Sequence, residues 1–147
     1  MLNDKMIGML AALTLMSGLA APAEAQPLSR YSWKNRPLVI FAPSQASPAL
    51  ARQRRIVSAN VAGFRERDMV IIEVVGNTVN SRLGQAPGAS AASFRQYYGV
   101  GRETFRAILV GKDGGSKLQR SSPVSASRLF ALIDTMPMRR QEMRSRS

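Results

Sequence analysis

The chain has 147 residues, with 21 Lys and Arg against 9 Asp and Glu, a formal net charge of +12, and neither histidine nor cysteine. That length, with 45% hydrophobic residues, allows one core of ordinary size and not two. Without cysteine there is no thiolate chemistry, no disulfide and no acylated-cysteine anchor, and without histidine most metal sites and general-base triads go too, so no metal or cofactor is expected.

Lys5 precedes an apolar run from Met6 to Ala21 that ends in Ala23-Glu24-Ala25. The run is interrupted by Gly8 and Gly18, is short for a bilayer span and finishes in a small-x-small pattern. Residues 1–25 therefore read as a secretory signal peptide cleaved between Ala25 and Gln26. The remainder reads as one domain over 26–137 and a basic tail over 138–147, working in the periplasm or outside the cell. Cleavage removes Lys5, Asp4 and Glu24 and leaves 20 basic and 7 acidic groups. Outside the cytoplasm such a balance points to a negatively charged protein, an acidic glycan or lipid phosphates as partner rather than to nucleic acid.

After a short polar lead, Pro37 introduces Leu38-Val39-Ile40-Phe41, a continuous apolar run that predicts a buried strand. In the following Ser44-Gln45-Ala46-Ser47-Pro48, Ser47 can cap a helix and Pro48 suits its first turn. That helix is expected to run to about Ala62 and to stop at Gly63, with Leu50, Val57, Val61 and Phe64 on one face and Gln53 beside them. Met69 to Val75 predicts a second buried strand, so the pair with its helix makes a parallel βαβ unit. Gly76 to Ala89 reads as a mobile loop. A helix from about Ser90 to Tyr98 follows, burying Phe94 with Tyr97 or Tyr98 and closed by Gly99. Ala107 to Val110 predicts the third strand, Lys112-Asp113-Gly114-Gly115 a hairpin turn, and Ser116 to Arg120 the fourth strand. A last helix over about Ser125 to Thr135 ends at Pro137, and the tail beyond it is expected to fray.

The order β-α-β-α-β-β-α resembles the thioredoxin fold, which implies a three-layer α/β/α domain on a four-stranded mixed sheet. In thioredoxins a Cys-x-x-Cys pair follows the first strand; here that place holds Ser44-Gln45-Ala46-Ser47, which cannot carry two-electron disulfide exchange. A closer resemblance covers about Trp33 to Met143. It rests on Trp33-Lys34-Asn35-Arg36, Phe41-Ala42-Pro43, Gln53, Glu66-Arg67-Asp68, Gly111-Lys112-Asp113-Gly114-Gly115-Ser116-Lys117, and Ile133-Asp134-Thr135-Met136-Pro137-Met138-Arg139-Arg140. These stretches are similar to a secreted bacterial family designated a domain of unknown function, number 4174, itself thioredoxin-like. The resemblance implies a relation to a domain of animal extracellular matrix proteins, and hence a binding role outside the cell.

Ser44, Gln45 and Ser47 lie where this fold presents its chemistry, at a strand's carboxyl end and a helix's amino end. They are candidates for binding a small oxyanion or peptide, against plain capping by Ser47. Gln53 could line the same site or satisfy loop backbone. Lys112 and its glycines suggest phosphate binding or simply a turn, and Arg36, Arg139 and Arg140 are further candidate anion-binding residues. Glu73, inside an apolar strand, needs a partner such as an arginine. No spacing pairs two carboxylates across a cleft, and no Ser-x-x-Lys follows a strand. Three readings stand: a non-redox thioredoxin-like binding module, a hydrolase or transferase using the Ser44–Ser47 turn, and a peripheral envelope-surface protein that binds polyanions.

Overall fold

Strands β1 (Arg36–Ala42) and β2 (Met69–Val75) are buried along their whole length and pair in parallel, from Arg36 with Met69 to Ala42 with Val75. Their near-continuous apolar composition suits strands covered on both faces. The computed structural model describes residues 26–147, and the signal peptide read over 1–25 lies outside them. Helices α1 (Pro48–Ser58) and α2 (Val61–Glu66) connect β1 to β2. β3 (Thr78–Leu83) follows, then α3 (Ala91–Tyr98), β4 (Arg106–Val110), β5 (Ser116–Arg120), α4 (Ala126–Asp134) and α5 (Pro137–Arg146).

The sheet order is β3-β2-β1-β4-β5, and every pair except β1/β2 is antiparallel. Strands β2, β1, β4 and β5 with α1, α3 and α4 form the expected thioredoxin-like arrangement. The sheet has five strands, not four, because β3 occupies part of the segment read as a mobile loop. Gly76, at φ +56°, and Asn77 form a two-residue hairpin between Val75 and Thr78. A register shift leaves Arg82 as the extra residue between Ser81, opposite Ile72, and Leu83, opposite Ile71. The shift puts Leu83 on the same face as Ile71, and Ser81 takes the half-buried position between Val79 and Leu83, so β3 shows no simple apolar alternation.

Alternation along the central strands divides the core into two layers. Leu38, Ile40, Ile71 and Leu109 face α1, α2 and α4, meeting Leu50, Val57, Phe64, Leu129 and Ile133. Val39, Phe41, Ile72 and Ile108 face α3 and the lead segment, meeting Phe94, Leu28 and Tyr31. The lead is thus part of the core, not a polar overhang: a 3-10 turn at Ser29–Tyr31 buries Tyr31, whose hydroxyl donates to the Gln85 carbonyl at 2.5 Å.

The helix expected to reach Ala62 ends at Ser58, where the Asn60 side-chain amide donates to the Ile56 carbonyl at 2.8 Å and α2 begins afresh. Gly63 lies inside α2 instead of ending a helix, and a Cβ there would come within 2.7 Å of the Phe130 ring. On α3 the inward residues are Ala91, Phe94 and Arg95; Tyr98 is half-buried and Tyr97 exposed. Gly99 closes α3 in the left-handed conformation at φ +65°.

Phe64 is fully buried and meets Phe130 edge-on at 4.9 Å between ring centroids. Phe64→Ala should therefore lower stability by about 3–5 kcal/mol. Urea denaturation should show this as an earlier midpoint at unchanged slope, and a loss below about 1 kcal/mol would remove α2 from the cooperative core.

Candidate functional site

The turn between β1 and α1 brings Ser44, Gln45 and Ser47 together, but each is committed locally. Ser47 is extended and its Oγ accepts from the Leu50 amide at 3.3 Å, with Pro48 in the first helical turn. Ser44 Oγ accepts from the Ala46 amide at 3.3 Å. Gln45 Oε1 accepts from Arg54 Nη2 at 2.7 Å. Arg54 also grips Glu73 through Nε (2.9 Å) and Nη2 (2.7 Å), and Arg82 Nε donates to the same carboxylate at 2.7 Å. Glu73 thus finds the arginine its burial demands, twice over. Gln53 does not join the turn. It is fully buried and bonds both backbone groups of Val124, accepting from N–H at 2.8 Å and donating to C=O at 3.0 Å. Among the described residues, neither serine hydroxyl is hydrogen-bonded to a side-chain base that could activate it.

The opposite end of the sheet, where β1 and β2 begin and β4 ends, carries a network of charges. Arg36, 1% exposed, holds Glu142 with two parallel hydrogen bonds of 3.0 and 3.1 Å and donates to the Arg67 carbonyl at 3.0 Å. Lys112 Nζ lies 2.6 Å from Glu142 Oε1 and 2.9 Å from Asp68 Oδ2. Arg139, also 1% exposed, reaches Asp134 at 3.0 Å and Glu66 at 3.2 Å, while Arg67 holds Asp134 at 2.8 and 3.1 Å and lies over the Phe130 ring. Three of the four candidate anion-binding residues, Arg36, Lys112 and Arg139, are therefore buried and already matched by acids.

Arg140 alone of that set is exposed. The difference comes from α5, which forms where fraying was expected: Pro137 starts this helix as well as following the previous one. Helical spacing turns Met136, Arg139, Glu142 and Met143 inward and leaves Arg140 and Arg144 outside. Arg67, Asp68, Asp134 and Glu142 were not among the sequence candidates. Their local signals were the charge alternation in Glu66-Arg67-Asp68 and the three-residue step from Arg139 to Glu142, neither of which names a distant partner.

The stretches Trp33–Arg36, Glu66–Asp68, Gly111–Lys117 and Ile133–Arg140 all meet at this end. Lys112 belongs to the expected hairpin turn, in which Asp113 binds the Gly115 amide at 3.0 Å and Lys117 at 2.9 Å. The Lys112 carbonyl accepts from the Trp33 amide at 2.7 Å, and Trp33, at φ +65°, is 66% exposed. A cleft of about 230 Å³ opens here between Lys112, Leu132, Met136 and Met138.

The Arg67 hydrogen bond, aided by Arg139, holds the Asp134 carboxyl below the usual carboxylate range. Burial pushes Glu142 up, but Arg36 and Lys112 outweigh it and the net shift is also downward. A carboxyl whose folded pKa is depressed adds stability above its unfolded value of about 4, and that stability is lost as pH falls through the folded value. Glu142→Gln should cost about 3–5 kcal/mol at pH 7, because it strands Arg36 without its acid. The gap between wild type and variant should narrow below about pH 4. Denaturation midpoints from pH 7 to pH 2 check this, and a pH-independent gap would contradict it.

Residues 27–142 match the family described as a domain of unknown function, DUF4174. The chain is 31% identical over 133 residues to coiled-coil domain-containing protein 80 of Danio rerio, covering 79% of this chain and 15% of that one. It is 30% identical over 120 residues to sushi repeat-containing protein SRPX of Homo sapiens, covering 79% of this chain and 26% of that one. It therefore spans about a quarter or less of the relatives it matches. In structure it is similar to the reduced 2-Cys peroxiredoxin of Plasmodium vivax, with a TM-score of 0.50 at 10% identity, covering 78% of this chain and 84% of that one. With no cysteine of its own, it shares the fold alone with that protein. A thioredoxin-like sheet, an extent of match that reaches from the lead segment into α5, and relatives with a like segment make the chain a member of the DUF4174 family.

Proposed function

We propose that this chain is a non-redox, thioredoxin-like binding domain that acts outside the cytoplasm and recognises an anionic partner. One observation carries the reading. Among the described residues every acid except Glu103 is held in an ion pair, whereas Lys34, Arg52, Arg55, Arg65, Arg140 and Arg144 are exposed and paired with none. The surface thus keeps nearly all of the chain's excess positive charge. Like-signed fields of this kind attract polyanions and speed their encounter. An acidic protein, an acidic glycan or an anionic lipid surface would each meet that requirement. The secretory pattern of residues 1–25 and the resemblance to a domain of extracellular matrix proteins support the location. Turnover at Ser44 or Ser47 gains no support from hydroxyls that serve as local acceptors.

On immobilised heparin, and on vesicles containing phosphatidylglycerol, the protein should be retained at low salt and released by about 1 M salt, where the Debye length is about 3 Å. Arg52→Gln combined with Arg55→Gln should elute earlier. Absence of retention at low salt, or retention indifferent to salt, would reject the reading.

A further inference from the structure

The end of the sheet that carries the Ser44–Ser47 turn holds a second feature on its other face. Ala91, Phe94, Arg95 and Tyr98 follow the spacing of an inward helical stripe, and arginine at one of those positions places a guanidinium beneath the sheet edge, 8% exposed. A buried cation ordinarily needs an acid, as Arg36 and Arg139 have. Arg95 has none. Its Nη1 donates to the Gly101 carbonyl at 3.0 Å, its Nη2 to the carbonyls of Ala42 and Gly76 at 3.2 Å each, and its Nε has no partner. Three carbonyl dipoles fix the group in place and leave its charge unmatched. Burial, reinforced by the Arg102 charge and opposed by Glu103, pulls its pKa below the ordinary arginine value.

Arg95 lines an open crevice of about 310 Å³ whose walls include Asn77, Gln96 and Arg102. The size is at the lower end for pockets that take small molecules. The place is the one where α/β sheets commonly bind ligands, outside the carboxyl ends of parallel strands. The two side-chain amides can orient a polar head, Arg102 adds a second charge, and Ala92 and Val100 offer an apolar wall to the rest of a ligand.

We propose that this crevice binds a small organic anion, with Arg95 and Arg102 receiving a carboxylate or phosphate group. The inference deepens the binding-domain reading and rests on it for the premise that an anionic ligand is recognised. Titration of ¹⁵N-labelled protein with propionate and, separately, phenyl phosphate at constant ionic strength tests it and tells the two head groups apart. Saturable shifts are expected at the Asn77, Gly101 and Arg102 amides and at Arg95 Nε–H. Arg102→Gln, an exposed change that should not disturb folding, should weaken the tighter ligand at least fivefold, whereas Arg128→Gln, an equal charge change on α4 across the sheet, should leave it within twofold. Unsaturated shifts spread over the exposed arginines, or equal weakening by Arg128→Gln, would overturn the proposal. A silent crevice with heparin retention intact would overturn the crevice alone; loss of both would overturn the binding-domain reading as well.

Discussion

Two guanidinium groups that are 1% exposed, Arg36 at the start of β1 and Arg139 on α5, set the terms for the rest of the molecule. Taking such ions out of water costs several kcal/mol each unless they are paired with good geometry. Their partners are Glu142, Asp134 and Glu66, with Arg67, Lys112 and Asp68 completing the network. Because Glu142 and Arg139 both sit on α5, Arg36 and Arg139 find their acids only when that helix is docked. The C-terminal segment is therefore positioned by ion pairs as well as by the packing of Leu132 and Met136.

This constraint also shapes the surface. A chain with few acids spends most of them at the base of the sheet, and Glu73 takes two more arginines, Arg54 and Arg82, on the α1 face. The outer faces of α1 and α5 are then left, among the described residues, with cations that no acid opposes. The two ends of the sheet differ accordingly. The base is matched internally, while the carboxyl end holds Arg95 buried against three carbonyls and the Phe41 ring, with Arg102 beside it. The turn where this fold can carry cysteines is closed by its own hydrogen bonds. The surfaces open to a partner are cationic and, at Trp33, aromatic.

Much of the architecture was legible because its signals are local. Nearly continuous apolar runs marked β1, β2 and β4, Ser47-Pro48 marked the start of α1, Gly99 the end of α3, and Asp113-Gly114 the hairpin before β5. β3 escaped because its outer residues are polar and Ser81 holds the half-buried position between Val79 and Leu83, so exposure alternates along the strand while apolar residues do not. The Gly76-Asn77 dipeptide was its one strong mark. α5 escaped because a run of arginines resembles a solvated tail until its three-residue steps are read as a face. Of the candidate site, Ser47 as a cap and an arginine for Glu73 followed from local chemistry. Arg95 was hidden because α3 offers three aromatic residues, Phe94, Tyr97 and Tyr98, for its inward face, and arginine is seldom buried.

By itself the sequence determined the fold class, the exclusion of thiol chemistry, the excess of positive charge and the family. Each depends on composition, periodicity or short motifs, which a linear chain carries in full. Only the tertiary structure decided which cations remain available. Arg36, Lys112 and Arg139 look like free charges along the chain, but Glu142 stands 106 and 30 residues from Arg36 and Lys112, and Arg139 meets Glu66 73 residues away and Asp134 across the junction of α4 and α5. Pairing over such distances depends on the sheet bringing β1, the β2 entrance, the β4–β5 turn and α5 to one end, and burial there favours the pairs because stranding one of these charges without its acid would cost about 3–5 kcal/mol.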